Sequence, residues 1–337
     1  MLTLFAASVL LGIPQSATKP LVGLTLNVSA NGGTQELIAS VMEERKLGCN
    51  MLADPYKWSD LESTPGQLNL TKLKHDLTDQ NNLGFVPVIT IQTIDTDKRT
   101  VPTDLQNEPW DSPKMLLRSQ ALLREVIKTL TPSVKAVMLG NEVDGYLSSH
   151  PSQVDAYCKF LRTARVQIHQ WNPTIQVGVT TMFTGIQDHP AVVRQIQQDM
   201  DIVSLTYYPL SPDFTVLPVA DVPKHFSKMR ALAKGRKLFL QEAGYPASPL
   251  LGSSDSKQAA FVHAVFNEIE SAKGDLYAVC FFLLVDFSDA TVNDLTKYYT
   301  LDSAKFRAML GTLGFKDQHN SPRPAWVEFQ ARMRTAH

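Results

Sequence analysis

Two glutamates, Glu142 and Glu242, stand where a short apolar segment ends in polar residues. The first ends VKAVMLGNE, residues 134–142, and the second ends RKLFLQE, residues 236–242. A continuous apolar run of this length is typical of a strand buried on both faces in a parallel sheet. The C-terminal tip of such a strand is where a (β/α)8 barrel carries its catalytic groups. Two opposed carboxyls, one an acid and one a nucleophile or base, are what glycoside hydrolysis requires.

The spacing of the two glutamates favours a barrel. They lie 242 − 142 = 100 residues apart in the chain. Because one βα unit takes roughly 30 residues or more, this gap fits about three units, from the fourth strand to the seventh. We therefore expect both carboxyls at the same end of one ring of strands.

The motifs around both glutamates resemble those of the retaining glycoside hydrolases of clan A. GNEV, residues 140–143, and QEAGYP, residues 241–246, are similar to a pattern of the endo-β-1,3-glucanase family. SLTYYPL, residues 204–210, together with GNE is similar to the endo-β-1,4-galactanase family. The resemblance covers roughly residues 21–329 and leaves the family open. It implies a (β/α)8 TIM barrel that cleaves β-glycosidic bonds in a poly- or oligosaccharide by double displacement.

The resemblance also implies roles for residues at the strand ends. Glu142 is expected to be the acid/base and Glu242 the nucleophile. Asn141 would donate a hydrogen bond to the sugar 2-hydroxyl, and Tyr207 would hydrogen-bond the nucleophile. Both have local alternatives, since asparagine often bonds its own loop and a rim tyrosine usually finds some partner for its hydroxyl.

Three further substrate-binding candidates follow from the same resemblance. Trp58 lies in a W..LE.TPG.L stretch after the second strand, where an aromatic often lies along the sugar cleft; packing on the barrel rim is an equal alternative. Phe282 and Asp286 lie at the end of the eighth strand. Clan members often carry a tryptophan here, so the phenylalanine puts the inherited sugar preference in doubt. The same difference leaves open a second function, that of an inactive barrel that binds carbohydrate without hydrolysing it. A third possible function is that of a transglycosylase that uses the same intermediate.

The rest of the chain supplies the elements that must position these groups. Residues 18–337 are predicted to form one catalytic domain with eight strand–helix units, and the loop through Asp95 and Asp97 is long enough to be a binding loop. The predicted strands span residues 21–28, 49–53, 84–91, 134–142, 175–181, 201–207, 236–242 and 276–285. The predicted helices span residues 34–47, 70–82, 113–130, 151–171, 189–198, 222–234 and 255–272, with a terminal helix near Trp326.

Composition and charge limit the class of protein. The chain has 337 residues, 44% of them hydrophobic, which suffices for one barrel of ordinary size. A formal net charge of −1 gives no support for a nucleic-acid partner. Residues 1–17 resemble a secretory signal peptide, although no Lys or Arg precedes the apolar run; a disordered apolar leader is the alternative. We expect a secreted or periplasmic monomer whose partner is a saccharide.

Other chemistries lack their motifs. The chain has no GxSxG elbow, no HxH or HExxH spacing, and no Rossmann or P-loop glycine pattern. Cys49, Cys158 and Cys280 lack zinc-site spacing and are expected to be buried thiols, with one disulfide as the alternative. We therefore expect no metal and no cofactor. The sugar and the linkage stay open; the long loops favour endo-action.

Overall fold

A computed structural model describes residues 19–335 of the chain. The predicted signal peptide, residues 1–17, lies outside this range, and secretion stays a prediction. None of the helices within residues 19–335 is long and apolar enough to cross a membrane.

Eight parallel strands form the centre of the molecule. They are β1 (Leu21–Leu24), β2 (Met51–Lys57), β3 (Val86–Asp95), β4 (Ala136–Asn141), β5 (Gln176–Gly178 and Thr180–Met182), β6 (Ile202–Tyr207), β7 (Lys237–Ala243) and β8 (Leu276–Phe281). Strands β2, β3, β4 and the first half of β5 pair in that order, and the second half of β5 pairs onward through β6, β7 and β8 to β1. Consecutive strands are therefore neighbours, as they are in a barrel of βα units.

Two joints close the ring. At the first, β5 changes partner across Val179, because its first half pairs with β4 and its second half with β6. At the second, the Asn50 amide donates to the Val22 carbonyl at 3.0 Å, and the Val22 amide donates to Asn50 Oδ1 at 2.9 Å. The predicted (β/α)8 TIM barrel is confirmed.

Eight helices cover the outside of the ring, one after each strand. They are α1 (Thr34–Leu47), α2 (Thr71–Asn82), α3 (Pro113–Thr129), α4 (Val154–Trp171), α5 (Pro190–Gln197), α6 (Val222–Ala233), α7 (Asp255–Glu270) and α8 (Pro324–Thr335). Their bounds follow the predictions closely because the local signals are strong. Helix α1, for example, ends at Gly48, whose φ of 96° is a conformation that glycine adopts without steric cost.

The apolar core has an inner and an outer layer. Side chains such as Met51, Met138 and Phe239 fill the interior of the ring. The larger layer lies between strands and helices. Cys49, Cys158 and Cys280 are buried free thiols, as the sequence predicts.

Short additional helices at Trp58–Leu61, Val143–Ser149 and Gly185–Asp188 depart from the predicted alternation of strands and helices, and the largest departure precedes α8. Between β8 and α8 the chain forms two further helices, Asp289–Tyr298 and Ala304–Leu310, which we call, with their flanks, the cap segment (residues 287–313). Their apolar side chains form a small core of their own around Val292, Phe306 and Leu310. The cap segment reaches over the C-terminal mouth of the barrel, where Tyr298 Oη donates to Asp95 Oδ2 at 2.7 Å.

Candidate active site

The C-terminal mouth of the barrel brings Glu142 and Glu242 together. Both line one cavity of about 490 Å³. The residues that precede them are bonded directly, since Gln241 Nε2 donates to Asn141 Oδ1 at 2.7 Å. Thr206 is the strand partner of Glu242, and its hydroxyl donates to Glu142 Oε1 at 2.7 Å. The two carboxyls thus share one gap at one end of the ring.

The backbone at the end of β4 turns two consecutive side chains, those of Asn141 and Glu142, into this mouth. Side chains along a regular strand alternate between its faces. Here Gly140 has φ of 106° and Glu142 has φ of 47°, which breaks the alternation. A Cβ atom on Gly140 would lie 2.5 Å from Val143 Cγ1, so the position requires glycine. A left-handed conformation is unfavourable for glutamate and marks Glu142 as a candidate functional residue.

A register shift in β7 likewise breaks the alternation of side chains, so that the consecutive residues Gln241 and Glu242 both face the barrel interior or its mouth. Leu205 pairs with Leu240, but the next residue, Thr206, pairs with Glu242, so Gln241 is the extra residue. A bulge of this kind redirects side chains at a strand end. Gln241 points into the ring, where its carbonyl oxygen accepts from Thr90 and Thr180 hydroxyls, both at 2.8 Å.

Glu142 is held by two hydroxyls. Thr96 Oγ1 donates to Oε2 and Thr206 Oγ1 donates to Oε1, each at 2.7 Å. Burial raises the pKa of Glu142, and the negative charge of Asp95 adds to the effect, while the two hydroxyl bonds oppose it. The carboxyl therefore keeps its proton to a higher pH than an exposed glutamate.

Glu242 accepts a hydrogen bond from a tyrosine. Tyr208 Oη lies 2.5 Å from Glu242 Oε2. Burial, and then the charge of Glu142, raise the pKa of Glu242 to about 8, against the opposing effect of the Tyr208 bond. Because burial raises the pKa of both carboxyls and each negative charge disfavours the other, the site favours a state in which only one of the two is ionised. One protonated and one ionised carboxyl is the state that acid and nucleophile chemistry needs.

A polar network adjoins the pair on the side of β3. Asn141 Nδ2 donates to Asp95 Oδ1 at 3.1 Å, so its amide bonds residues of β3 and β7 rather than its own loop. Asp95 also accepts from Tyr298 and lies 3.9 Å from Lys57 Nζ. The sequence places Asp95 in a binding loop but not in the site, although it carries the same signal as Glu142: an acid at the tip of an apolar strand.

Tyr207 was predicted to contact the nucleophile, and this is wrong by one residue. Its hydroxyl bonds His225 Nδ1 at 2.9 Å, and its ring packs against Phe226 between the strands and helices. Because side chains alternate along β6, Thr206 and Tyr208 face the mouth, while Tyr207 between them faces outward. The tyrosine that bonds Glu242 is Tyr208.

Trp58 and Asp286 also lie outside the cavity, so neither prediction of a substrate contact agrees with the structure. Trp58 is fully buried, with its indole N–H donating to Glu62 Oε2 at 2.8 Å. Asp286 is held by the Gly314 amide at 2.7 Å and by Arg323 Nη2 at 2.6 Å, and so joins the end of the cap segment to α8. We assign both as structural groups, since neither lines the cavity and each is bonded to groups within the protein.

Phe282 does line the cavity. Its ring centroid lies 5.9 Å from that of Tyr208 and 5.9 Å from that of Phe287. Phe282 therefore lies in the same cavity as Glu242, and stacking of a sugar ring on it stays a prediction. The remaining walls come mainly from the cap segment and from the loop after β6, which the sequence did not indicate as parts of the site.

Comparison with known proteins identifies the fold. No family model matches the chain, and no curated protein sequence matches it. Solved structures do match. A GH5_18 protein from Streptomyces cattleya, in complex with Manβ1-4GlcNAc, has a TM-score of 0.72 at 14% identity, over 94% of this chain and 81% of that one.

Two other solved structures are similar over nearly the whole chain. An exo-β-1,4-mannosidase from Opitutaceae bacterium strain TAV5 has a TM-score of 0.70 at 17% identity, over 95% of this chain and 60% of that one. A family 39 glycoside hydrolase from Bacteroides cellulosilyticus WH2 has a TM-score of 0.65 at 15% identity, over 94% of this chain and 64% of that one. This protein therefore has the (β/α)8-barrel fold of these glycoside hydrolases.

Proposed function

We propose that this protein is a retaining β-glycosidase in which Glu242 is the nucleophile and Glu142 the acid/base. The observation that carries the proposal is the pair itself: two buried carboxyls, one directly after β4 and one on β7, lie in one cavity. The likeness to solved glycoside hydrolases supports it, because their fold carries catalytic groups at this end of the strands.

The first chemical step forms a glycosyl-enzyme. An oxygen of Glu242 attacks the anomeric carbon while Glu142 gives its proton to the leaving oxygen, which departs as an alcohol. The hydrogen bond from Tyr208 favours the ionised form of the attacking carboxylate. Asn141, which is hydrogen-bonded to Asp95 and Gln241, would donate to the sugar 2-hydroxyl with its second amide hydrogen.

The second step reverses the role of Glu142. Once Glu242 is an ester it carries no charge, so it no longer raises the pKa of Glu142. The ionised Glu142 can then take a proton from water, whose oxygen attacks the anomeric carbon and releases Glu242. Two displacements at one carbon leave the product in the β-configuration of the substrate.

The test is a panel of aryl β-glycosides and polysaccharides, with NMR of the anomer formed first and sizing of the products. We expect a β-product. An α-product would contradict double displacement, and retention of a polysaccharide without release of sugar would favour the carbohydrate-binding barrel instead. Product sizing also tests the endo-action that the sequence predicts.

Tyr208→Phe is expected to lower kcat by about 10- to 100-fold, since a hydrogen bond to a charged group contributes about 1.5–3 kcal/mol. The lost bond favours the ionised form of Glu242, so the pKa of Glu242 rises and the acid limb of the kcat/KM profile moves to higher pH. The neighbouring Tyr207→Phe is the matched control. It removes only the bond to His225 and should leave the pH profile in place. An acid limb that moves in neither variant, or equally in both, would show that Tyr208 does not act on Glu242.

A further inference from the structure

The cavity extends from the catalytic pair into a lobe with apolar walls. The walls come from the loop after β6 and from the cap segment. The side chains that form them are Leu210, Phe214, Leu301, Phe306, Met309 and Leu310. We call this part of the cavity the apolar lobe. Leu301 is 40% exposed, so the lobe is open to solvent at this residue.

Few polar groups are available in the apolar lobe. Asp97 and Asp188 are exposed residues at its rim, and the Ser211 hydroxyl is already bonded within its own loop. A sugar ring carries several hydroxyls, and each loses its bonds to water on entering such a place. A hydrocarbon body gains free energy there, at about 25 cal/mol for each Å² of apolar surface removed from water.

The opposite flank of the catalytic pair is polar. Strand β4, which carries Glu142, lies between β3 and β5 in the ring. On the side of β2 and β3 lie Lys57, Gln92 and Asp95, linked by polar contacts. On the other side, the exits of β5 and β6 lead into the apolar lobe. The flank of the catalytic pair at β2 and β3 thus carries polar side chains, and the flank at β5 and β6 opens into the apolar lobe.

We propose that the substrate is a β-glycoside of an aliphatic alcohol, with the sugar on the polar flank and the hydrocarbon leaving group in the apolar lobe. The assignment rests on the proposed function above. Glu142 protonates the glycosidic oxygen, the C–O bond to the anomeric carbon breaks as Glu242 bonds that carbon, and the aglycone leaves as a neutral alcohol. Water then releases the sugar, so no further reactant is needed.

The experiment measures kcat/KM for n-alkyl β-glycosides from propyl to octyl, with gluco, galacto and manno head groups, below micelle-forming concentrations. The pKa of the leaving alcohol is nearly constant along this series, so chain length changes contacts and not chemistry. We expect kcat/KM to rise by about two- to fourfold for each methylene group, until the lobe is filled.

Two variants locate the effect. Leu301→Ser and Met309→Gln, both in the lobe, should flatten the dependence of kcat/KM on chain length. Leu117→Ser is the matched control, because Leu117 is 66% exposed on α3, outside the cavity. It should leave the dependence unchanged.

Each contrary result has a separate meaning. Hydrolysis of aryl and propyl glycosides with no dependence on chain length would overturn the apolar leaving group and leave the glycosidase standing. A dependence that all three variants keep would show that the chain binds elsewhere, and would also overturn the assignment. Inactivity toward both aryl and alkyl series would overturn the glycosidase and this assignment together.

Discussion

Glu242→Gln is expected to lower kcat for aryl β-glycosides by about 10⁴-fold or more, the order of loss seen when an enzyme nucleophile is removed. The amide oxygen is a poor nucleophile and carries no charge to balance the positive charge that develops on the sugar. Substrate binding should change little, because the amide has nearly the same shape. Glu125→Gln, at an exposed residue of α3 far from the cavity, is the matched control and should keep full activity. A Glu242→Gln enzyme with more than a hundredth of wild-type activity would show that another group attacks.

Glu242→Gln is also expected to change the stability of the protein. Measuring its Tm at several pH values tests this effect and shows whether the variant folds. Burial and the charge of Glu142 raise the pKa of Glu242 to about 8, from about 4.3 in the unfolded chain, so the catalytic pair of the folded protein keeps a proton that both carboxyls have lost in the unfolded chain. The contribution of this group to stability therefore falls as pH rises from about 4.3 to about 8. Glutamine does not titrate. The Tm of Glu242→Gln should exceed that of the wild type at pH 8, and the difference should shrink toward pH 4.

Glu142→Ala is expected to act through the leaving group. For alkyl glycosides, whose alcohols need a proton to depart, kcat should fall by about 10²- to 10⁴-fold. This is the usual contribution of a positioned general acid to the rate. For 2,4-dinitrophenyl glycosides, which depart without a proton, formation of the glycosyl-enzyme should be nearly unaffected and its hydrolysis should be slow. Azide can enter the space left by the side chain and should restore turnover by forming the β-glycosyl azide.

The alkaline limb of the pH profile should disappear in Glu142→Ala, since that limb reports loss of the shared proton. A neighbouring group offers the control. Asp144 is buried just after Glu142, and burial raises its pKa to about 7. Asp144→Asn should keep the dependence on the leaving group and the response to azide. Equal losses with good and poor leaving groups in Glu142→Ala would contradict its role as the acid.

The sequence predicts the barrel and the two glutamates because both depend on local pattern. An apolar run that ends in polar residues locates a strand tip, and the spacing of the tips fits a ring of βα units. The choice between Tyr207 and Tyr208 depends on which face of β6 each presents. The sequence SLTYYPL does not show this, since both are aromatic and the strand end cannot be placed to one residue.

Trp58, Asp286 and the cap segment could not be assigned for a different reason. Whether Trp58 faces a cleft or the core depends on Glu62, which accepts its N–H. The position of Asp286 depends on Arg323, the residue before α8. Such pairs form only in the folded chain. The helices of the cap segment lie outside the alternation of strands and helices, so nothing in that repeat predicts them, although Ser288 and Ser303 are ordinary N-caps.

The most direct test of the catalytic pair is to trap the intermediate. A 2-deoxy-2-fluoro β-glycoside with a dinitrophenyl leaving group, in the sugar series that the enzyme hydrolyses, slows the second step more than the first. Mass spectrometry after trypsin digestion should then find one fluoroglycosyl group on the peptide of residues 238–257, at Glu242, and none in Glu242→Gln. A label on any other residue, or an active wild-type enzyme that takes up no label, would contradict the assignment of Glu242 as the nucleophile facing Glu142.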